Sequence, residues 1–512
     1  MPVTYSIAID FDDDFSDSGE DISADVIEIS WRLGMARPHD SVAAPIKATI
    51  TVHNPDRDYS PEYTTDPLLP GKPIRIQSDD GSTVRTHFTG FIHQIEPLTG
   101  DQGARTAVIH AEGPERQLAN SRVRLPPQVD VRADEVIKGV LDAVPLRREK
   151  LAGYWLLGAT GHAEMGTNTR LALDTISQVL ETGESTFSYI GDTWGDGIAA
   201  DQAIRLMAEA ERGRFFIDRR GRAVFFNRHH ALLDTFSTGA FADDMEGLAY
   251  TYGADTISKI RVTITPRSIG SAGTVLWQLD SPQRILPGEA NTRQMVVLFR
   301  DDNDRPVGAL EVSIPESGTD YTANAQPDGS GADRTDKLDL TLLSADAASA
   351  TLLLRNTSKK TIYLQPGTRL RGTPIYTDDP ITMEAVDQAS QALYGASTLA
   401  FDLPALTLLE EADDLSRFEL ARRKDPRGLI RSLQVSGQSH LTQMLARTIF
   451  DRITISETQT NHNADYFIVA EDHQVDLGGA SHQATWLLED ALFHTFFIIG
   501  TAQLGQTTSL TY

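Results

Sequence analysis

Short alternating strands, punctuated at regular intervals by turn residues, fill residues 1–125, and this pattern limits the fold more than any other feature of the chain. Val26, Ile27, Ile29 and Trp31 open it. Runs at 46–52 (IKATITV), 74–77, 88–95 (FTGFIHQI) and 106–111 (TAVIHA) follow. The breaks are His53-Asn54-Pro55-Asp56, Pro70-Gly71-Lys72-Pro73 and Asp79-Asp80-Gly81. Period-two hydrophobicity between such turns marks half-buried strands, and several in succession predict a β-barrel or sandwich.

The remainder is less uniform. Residues 126–235 mix both periods. Val136, Ile137, Val140, Leu141 and Val144 share a helical face, and Leu173, Ile176 and Leu180 predict a second helix. A third helix is expected over 200–212, ending at Gly213 as a left-handed C-terminus would. Phe215-Phe216-Ile217 and Val224-Phe225-Phe226 flank Asp218-Arg219-Arg220-Gly221 and read as a hairpin. Strands return at 240–275, with 260–265 (IRVTIT) the clearest. Residues 276–376 look like a separate all-β module, with candidate strands at 295–299, 338–343, 350–355 and 361–364 and a polar, Gly-rich loop at 318–336. A helix over 408–423 opens on Glu410, Glu411, Asp413 and Asp414 and closes on Arg422 and Arg423, in line with its macrodipole. Strands at 452–456, 466–470 and 482–489 end the ordered pattern, and 500–512 is small and polar. No 20–50-residue repeat is present.

A chain of 512 residues is expected to hold three or four domains. Forty-six Lys and Arg stand against 72 Asp and Glu, a net charge of −26. So acidic a chain is a poor ligand for nucleic-acid phosphates or anionic membranes. It has no cysteine, which removes disulfides, thiolate metal sites and thiol nucleophiles. Residues 1–30 carry nine carboxylates and no Lys or Arg, so no secretory signal is expected, and no apolar run reaches the length of a membrane span.

Four constellations deserve weighing. Asp10, Asp12, Asp14, Ser16, Ser18 and Asp21 occupy positions 1, 3, 5, 7, 9 and 12 of a calcium-loop pattern. Phe15 stands where the sharp turn needs Gly, and Asp21 where Glu is usual, so a solvated acidic loop is the better reading. His229-His230 follows the hairpin, where adjacent side chains of a strand point apart and make a poor metal site. The glycines of 191–197 belong to no GxxxxGK[ST] loop. Glu410-Glu411 and Asp413-Asp414 are carboxylate pairs of the kind glycosidases use, but they sit on a charged helix face. No residue is therefore assigned as catalytic, cofactor-binding or metal-ligating.

The order of the motifs resembles the baseplate hub and minor tail proteins of tailed bacteriophages. In the first block the matching residues are Asp21-Ile22-Ser23, Ile29-Ser30-Trp31-Arg32-Leu33-Gly34, Asn54, Asp56, Tyr59-Ser60-Pro61, Gly71-Lys72-Pro73-Ile74-Arg75-Ile76, Phe88-Thr89-Gly90-Phe91-Ile92 and Ala111-Glu112-Gly113. Glu209-Ala210-Glu211-Arg212-Gly213-Arg214-Phe215-Phe216 and Gly221-Arg222-Ala223-Val224-Phe225-Phe226 resemble that family's helix and hairpin. Arg371-Gly372-Thr373-Pro374-Ile375 resembles its inserted sandwich, and Lys424-Asp425-Pro426-Arg427 its return segment. Asp465-Tyr466-Phe467-Ile468-Val469 and Thr485-Trp486-Leu487-Leu488-Glu489 resemble its last strands. At Lys259-Ile260-Arg261-Val262 the chain departs from the family's frequent Asn-Arg-Val.

The resemblance implies a mainly β chain with α+β insertions. Its parts are a tube-like β-barrel at 1–125, a mixed helix and hairpin domain at 126–235, a second tube-like barrel from 236–275 and 377–490, an inserted β-sandwich at 276–376, and a tail at 491–512. It further implies a non-enzymatic homotrimer at the tail tip of a virion, assembled in the host cytoplasm. Such a trimer matches the six-fold tail tube and leaves a channel through which DNA passes without sequence-specific binding. Its implied partners are a tail-tube or distal tail protein, a tape-measure protein, and a fibre or receptor-binding protein. A tail-tip enzyme that degrades cell wall and a β-modular surface adhesin are the alternatives. The first needs a paired acid and nucleophile in a cleft, the second a signal or anchor.

Overall fold

Alternation builds the first lobe as expected. The computed structural model describes the chain except residues 1–2, 11–14, 16–19, 65–67, 99–104, 145–177, 196, 235, 288–292, 477–480, 492–495, 498–508 and 511–512. Six strands, β1 (Thr4–Ile9), β2 (Val26–Gly34), β3 (Lys47–His53), β4 (Pro73–Asp79), β5 (Val84–Pro97) and β6 (Thr106–Glu112), lie antiparallel in the order β1-β4-β5-β6-β3-β2. Ala48, Ile50 and Val52 of β3 and Ala107, Ile109 and Ala111 of β6 point into one core, while their neighbours face out. The Asn54 to Ser60 turn is closed by its own side chains. Asn54 accepts from the Tyr59 amide at 3.1 Å and donates to Ser60 at 3.0 Å, and the Tyr59 hydroxyl donates to Asp25 at 2.8 Å.

The middle block packs α1 (Glu115–Asn120), α2 (Ala133–Ala143) and α3 (Ala200–Glu211) beside a hairpin, β7 (Arg214–Ile217) and β8 (Ala223–Phe226), followed by the single turn α4 (His230–Leu233). Of the expected second helix, Leu173 and Ile176 lie outside the described residues. Leu180 ends a short strand, Gln178–Leu180, parallel to β8. The left-handed residue that ends α3 is Arg212, with φ 59°, and not Gly213. Gly213 is needed for a different reason: a Cβ there would lie 2.6 Å from the Phe226 carbonyl oxygen and 2.7 Å from the Phe225 ring. Close helix-to-hairpin packing, not backbone handedness, selects glycine at this position.

Next come β9 (Gly239–Ala242), β10 (Gly247–Tyr252) and β11 (Lys259–Ile264). The inserted module contains β12 (Gln294–Leu298), β13 (Leu338–Ala345), β14 (Ser349–Asn356) and β15 (Arg369–Thr377) among its strands. It has its own core of Leu276, Phe299, Leu340, Leu352 and Ile362. Entry and exit are adjacent, because Arg267, Ser268 and Ile269 pair with Thr377, Tyr376 and Ile375. The chain returns through β16 (Ile381–Val386), α5 (Gln388–Tyr394), β17 (Thr398–Leu403) and α6 (Leu409–Arg423). β11 lies between β16 and β17 in a small sheet of its own, packed on α6.

The last block holds β18 (Gly428–Ser436), α7 (Gly437–Ala446), β19 (Arg452–Glu457), β20 (His462–Asp476) and β21 (Ser481–Asp490). Only residues 466–470 of β20 were legible as a strand, yet it runs for 15 residues. Its length has a cause. β21 pairs along most of one side, while the other side is shared between β19 for residues 462–467 and β2 for residues 470–476. The β2–β20 pairing joins the two lobes into one 12-stranded sheet of order β1-β4-β5-β6-β3-β2-β20-β21-β18-β10, with β9 and β19 attached beside β20. At the join the backbones are in close contact. Gly34 has φ +103°, and a Cβ on it would sit 2.3 Å from the Val469 carbonyl oxygen. The second lobe has a separate core around Phe241, Leu433, Ile455, Tyr466 and Trp486. The chain is thus mainly β with a few helices, as its pattern predicts.

Candidate functional site

The seam between the lobes gathers charged, polar and aromatic side chains from seven segments. Glu471 and His473 project from β20 and His482 from β21, on the face that also carries Trp486. A bulge between Ile468 and Ala470 keeps Glu471, His473 and Val475 on that inward face. The first lobe covers them with Tyr5 of β1, Trp31 of β2, Ser78 of β4 and His87 of β5. The turn of the β7–β8 hairpin adds Arg219. Glu471 and His473 are wholly buried.

These groups form one chain of contacts. Arg219 holds Glu471 through Nε at 2.6 Å and Nη2 at 2.5 Å, and donates to the Leu445 and Arg447 carbonyls at 3.2 and 2.7 Å. His473 Nε2 lies 3.6 Å from Glu471, His473 Nδ1 lies 2.8 Å from His482 Nε2, and His482 Nδ1 lies 2.7 Å from the Tyr5 hydroxyl. One proton assignment fits the two hydrogen bonds and the charge: Tyr5 donates to His482 and His482 to His473, whose Nε2–H then faces the Glu471 carboxylate without a hydrogen bond. Both imidazoles are then neutral. Trp31 stacks on His473 at 4.7 Å and 7°. Ser78 and His87 meet at 2.7 Å beside it.

Burial and neighbouring charge set the protonation. Burial opposes the Glu471 carboxylate, but Arg219 and His473 outweigh it and hold its pKa well below the usual range. Burial pushes His482 down to about 3, helped by His473 and Arg219. Burial likewise lowers His473, against the pull of Glu471. It lowers His87 well below its ordinary value, with Arg219 adding to the effect. The indole nitrogens of Trp31 and Trp486 have no hydrogen-bond partner, an expense of the same polar wall.

A second cluster ties the hairpin to the last block. Arg214 Nη2 reaches both oxygens of Glu489 at 2.9 and 2.7 Å, and His39 adds a contact at 3.1 Å. Glu419 of α6 accepts from Arg212 at 2.9 Å and Arg423 at 3.0 Å. The left-handed turn at Arg212 aims its side chain at Glu419. Arg214 and His39 outweigh burial and hold the Glu489 carboxyl at about 2. Carboxylates held this firmly ionised are poor general acids. Ser78 and His87 resemble a nucleophile and base, but both are buried and His87 Nδ1 has no partner to orient it. Both clusters therefore hold segments together, and Arg212, Arg214, Glu419 and Glu489 of the second also line a recess with Phe226, His229 and His230.

The constellations weighed in the sequence fall elsewhere. Most of the acidic loop lies outside the described residues. Of its members, Asp21 accepts from the Ser23 amide at 2.9 Å, Asp10 is buried, and the Phe15 ring lies under Arg75. His229 and His230 begin a helical turn and not a strand, and both point at carboxylates, Glu184 at 3.3 Å and Glu181 at 2.6 Å. Gly191 and Gly197 belong to a turn whose Asp192 pairs with Arg267 at 2.7 Å. On α6, Asp413 pairs with Arg417 at 2.7 Å, and burial raises Glu411. Among the described residues, no group of three or more His, Asp or Glu is arranged to hold a metal ion. Sequence reasoning missed Arg219, Glu471, His473, His482 and Glu489. The available signal was parity: Glu471 and His473 alternate with exposed residues at the inward positions of a strand.

No family model matches the sequence, and no curated protein does. Solved structures with a similar arrangement include tail proteins. A 43 kDa tail protein of prophage MuSo2 from Shewanella oneidensis aligns over 96% of this chain and 99% of its own, at 10% identity and TM-score 0.49. A tail protein from Neisseria meningitidis MC58 aligns over 96% and 98%, at 8% identity and TM-score 0.49. The prophage tail protein gp18 from Listeria monocytogenes EGD-e aligns over 95% and 94%, at 10% identity and TM-score 0.38.

Proposed function

We propose that this chain is a structural hub subunit at the tail tip of a phage or phage-like particle. The observation that carries the reading is the continuous 12-stranded sheet, in which two lobes stand edge to edge through β2 and β20. One chain then offers two neighbouring sheet lobes. Three copies around an axis offer six, the number a six-fold tail tube presents. The ordered motif resemblance over nearly the whole sequence points the same way.

Other features fit this role. The two buried clusters tie distant segments together, and the role proposed for the hub is structural and not enzymatic. The net charge of −26 suits a channel wall past which a polyanion slides without sticking. The hub would bind a tail-tube or distal tail protein on one side and a tape-measure protein in the channel. The inserted module, on its own core and a narrow neck, is the part best suited to dock a fibre or receptor-binding protein.

Negative-stain electron microscopy with a solution mass tests the assembly. A three-fold ring with a central channel, at three times 56.1 kDa, is the expected result. A monomer at all concentrations that also fails to enter tails in a reconstitution would overturn it.

A further inference from the structure

We propose that the β2–β20 seam is an acid-labile joint, with His87, His473 and His482 as its proton sensors. The proposal is independent of the tail-tip reading, because it rests on how the cluster closes the sheet.

The geometry limits how many protons the closed seam accepts. The link from His482 to His473 needs one imidazole N–H and one bare imidazole nitrogen across 2.8 Å. If both rings are protonated, all four nitrogens carry hydrogens and this link has no acceptor. A first proton is tolerable only if Tyr5 reverses its bond to His482, and the new charge then lies in the same wall as Arg219. His87 faces the same guanidinium from β5 and is 0% exposed. With the seam open, all three rings reach water and take up protons freely.

The elements packed against the seam offer little compensating charge. β1 gives Tyr5, whose hydroxyl burial keeps protonated. β2 and β4 give only Trp31 and Ser78. β20 gives Glu471, already engaged by Arg219, while Asp472 points to solvent beside Arg32. β21 gives His482 and Trp486. The hairpin turn gives Arg219, and behind it stand Arg447 and Asp451, 3.6 Å apart. Among the described residues Glu471 is the one anion in contact with a sensor, and one carboxylate cannot balance three imidazolium ions and an arginine.

The sign follows. The sensors are neutral in both closed and open states above pH ~6.5. Below that the open state binds protons that the closed state resists, so closure weakens as pH falls. The second lobe has a core of its own, while Phe467, Val469 and Val475 of β20 pack into the first; among the described residues β2–β20 is the backbone ladder between the lobes. Opening is therefore expected here before global unfolding.

Hydrogen exchange on the full chain, corrected for intrinsic rates, reads this directly. Amides of Ile29, Trp31, Glu471 and His473 are expected to lose protection below about pH 6, by at least ~100-fold per pH unit for two or more protons. Leu352 and Leu354 in the insert should stay protected to pH 4.5. Simultaneous loss at both places, or no loss at either, would overturn the proposal. In His482→Gln the slope should fall by about one proton, while His53→Gln, on the exposed end of β3, should leave it unchanged. An unaltered slope in His482→Gln counts against the proposal. Should that variant fail to fold, carbon-labelled histidine resonances in the unaltered chain decide. The three buried rings should stay neutral until protection is lost and then titrate together. Separate titration near pH 6.5 with the seam still closed would refute it.

Discussion

Gly213 and Arg212 show what a single position hides. The glycine was readable as a turn residue, but the left-handed conformation sits one residue earlier, on an arginine. Its partner Glu419 is 207 positions away, so no local pattern announces the exchange. Gly213→Val should lower stability by about 1–3 kcal/mol through overpacking against Phe225 and the Phe226 carbonyl. An unchanged calorimetric midpoint would refute that account. Glu115 is equally silent in sequence. It is buried, accepts from the Ile46 amide at 3.2 Å, and burial lifts its pKa to about 8. Its folded pKa lies above the unfolded one, so its contribution is complete below pH ~4.5 and declines by roughly 1.4 kcal/mol per pH unit up to pH 8. Glu115→Gln removes that slope. Denaturant titrations should show the variant gaining on the parent between pH 6 and pH 8.5; a constant difference would contradict the assignment.

Strands and helices with one buried face were the most legible elements. The strands of the first lobe were visible because apolar residues keep a strict period there, and the 409–423 helix because acidic residues open it and basic residues close it. β20 was underestimated because Ala470-Glu471-Asp472 interrupts the apolar pattern where the pairing is most extensive. Of the polar wall, only the alternation around Glu471 and His473 left a trace in the sequence. The wall's members come from the first 90 residues, the hairpin turn and the last block, and each alone looks like an ordinary surface residue. The inserted module, by contrast, was visible as a separate β-rich stretch, and its neck makes it separable. Replacing 270–374 by a two-residue turn between Ile269 and Ile375 should leave the remaining body folded, with its melting temperature within a few degrees of the parent. Arg267 stays in that variant and keeps Asp192 paired. Collapse of the truncated protein into aggregates would show that the insert shares the main core.

Across the whole molecule, opposite pH slopes bound the stable range. The histidine wall weakens closure in acid, while Glu115 withdraws stability in mild alkali. Charge adds to this at long range, since a net −26 favours separation of like surfaces unless subunit contacts offset it. The seam also sets a timetable. Tyr5 and His482 touch across 477 positions, so the first lobe lacks its closing partner until nearly all of this sequence has left the ribosome. At ~5–20 residues per second that interval is on the order of a minute. Throughout it the edge of β2, with Trp31 and Leu33, is an unpaired strand able to join another chain. Loop closure over such a span is slow, so the yield of correctly joined lobes is decided during synthesis, by whatever keeps that edge apart from its neighbours on the same message.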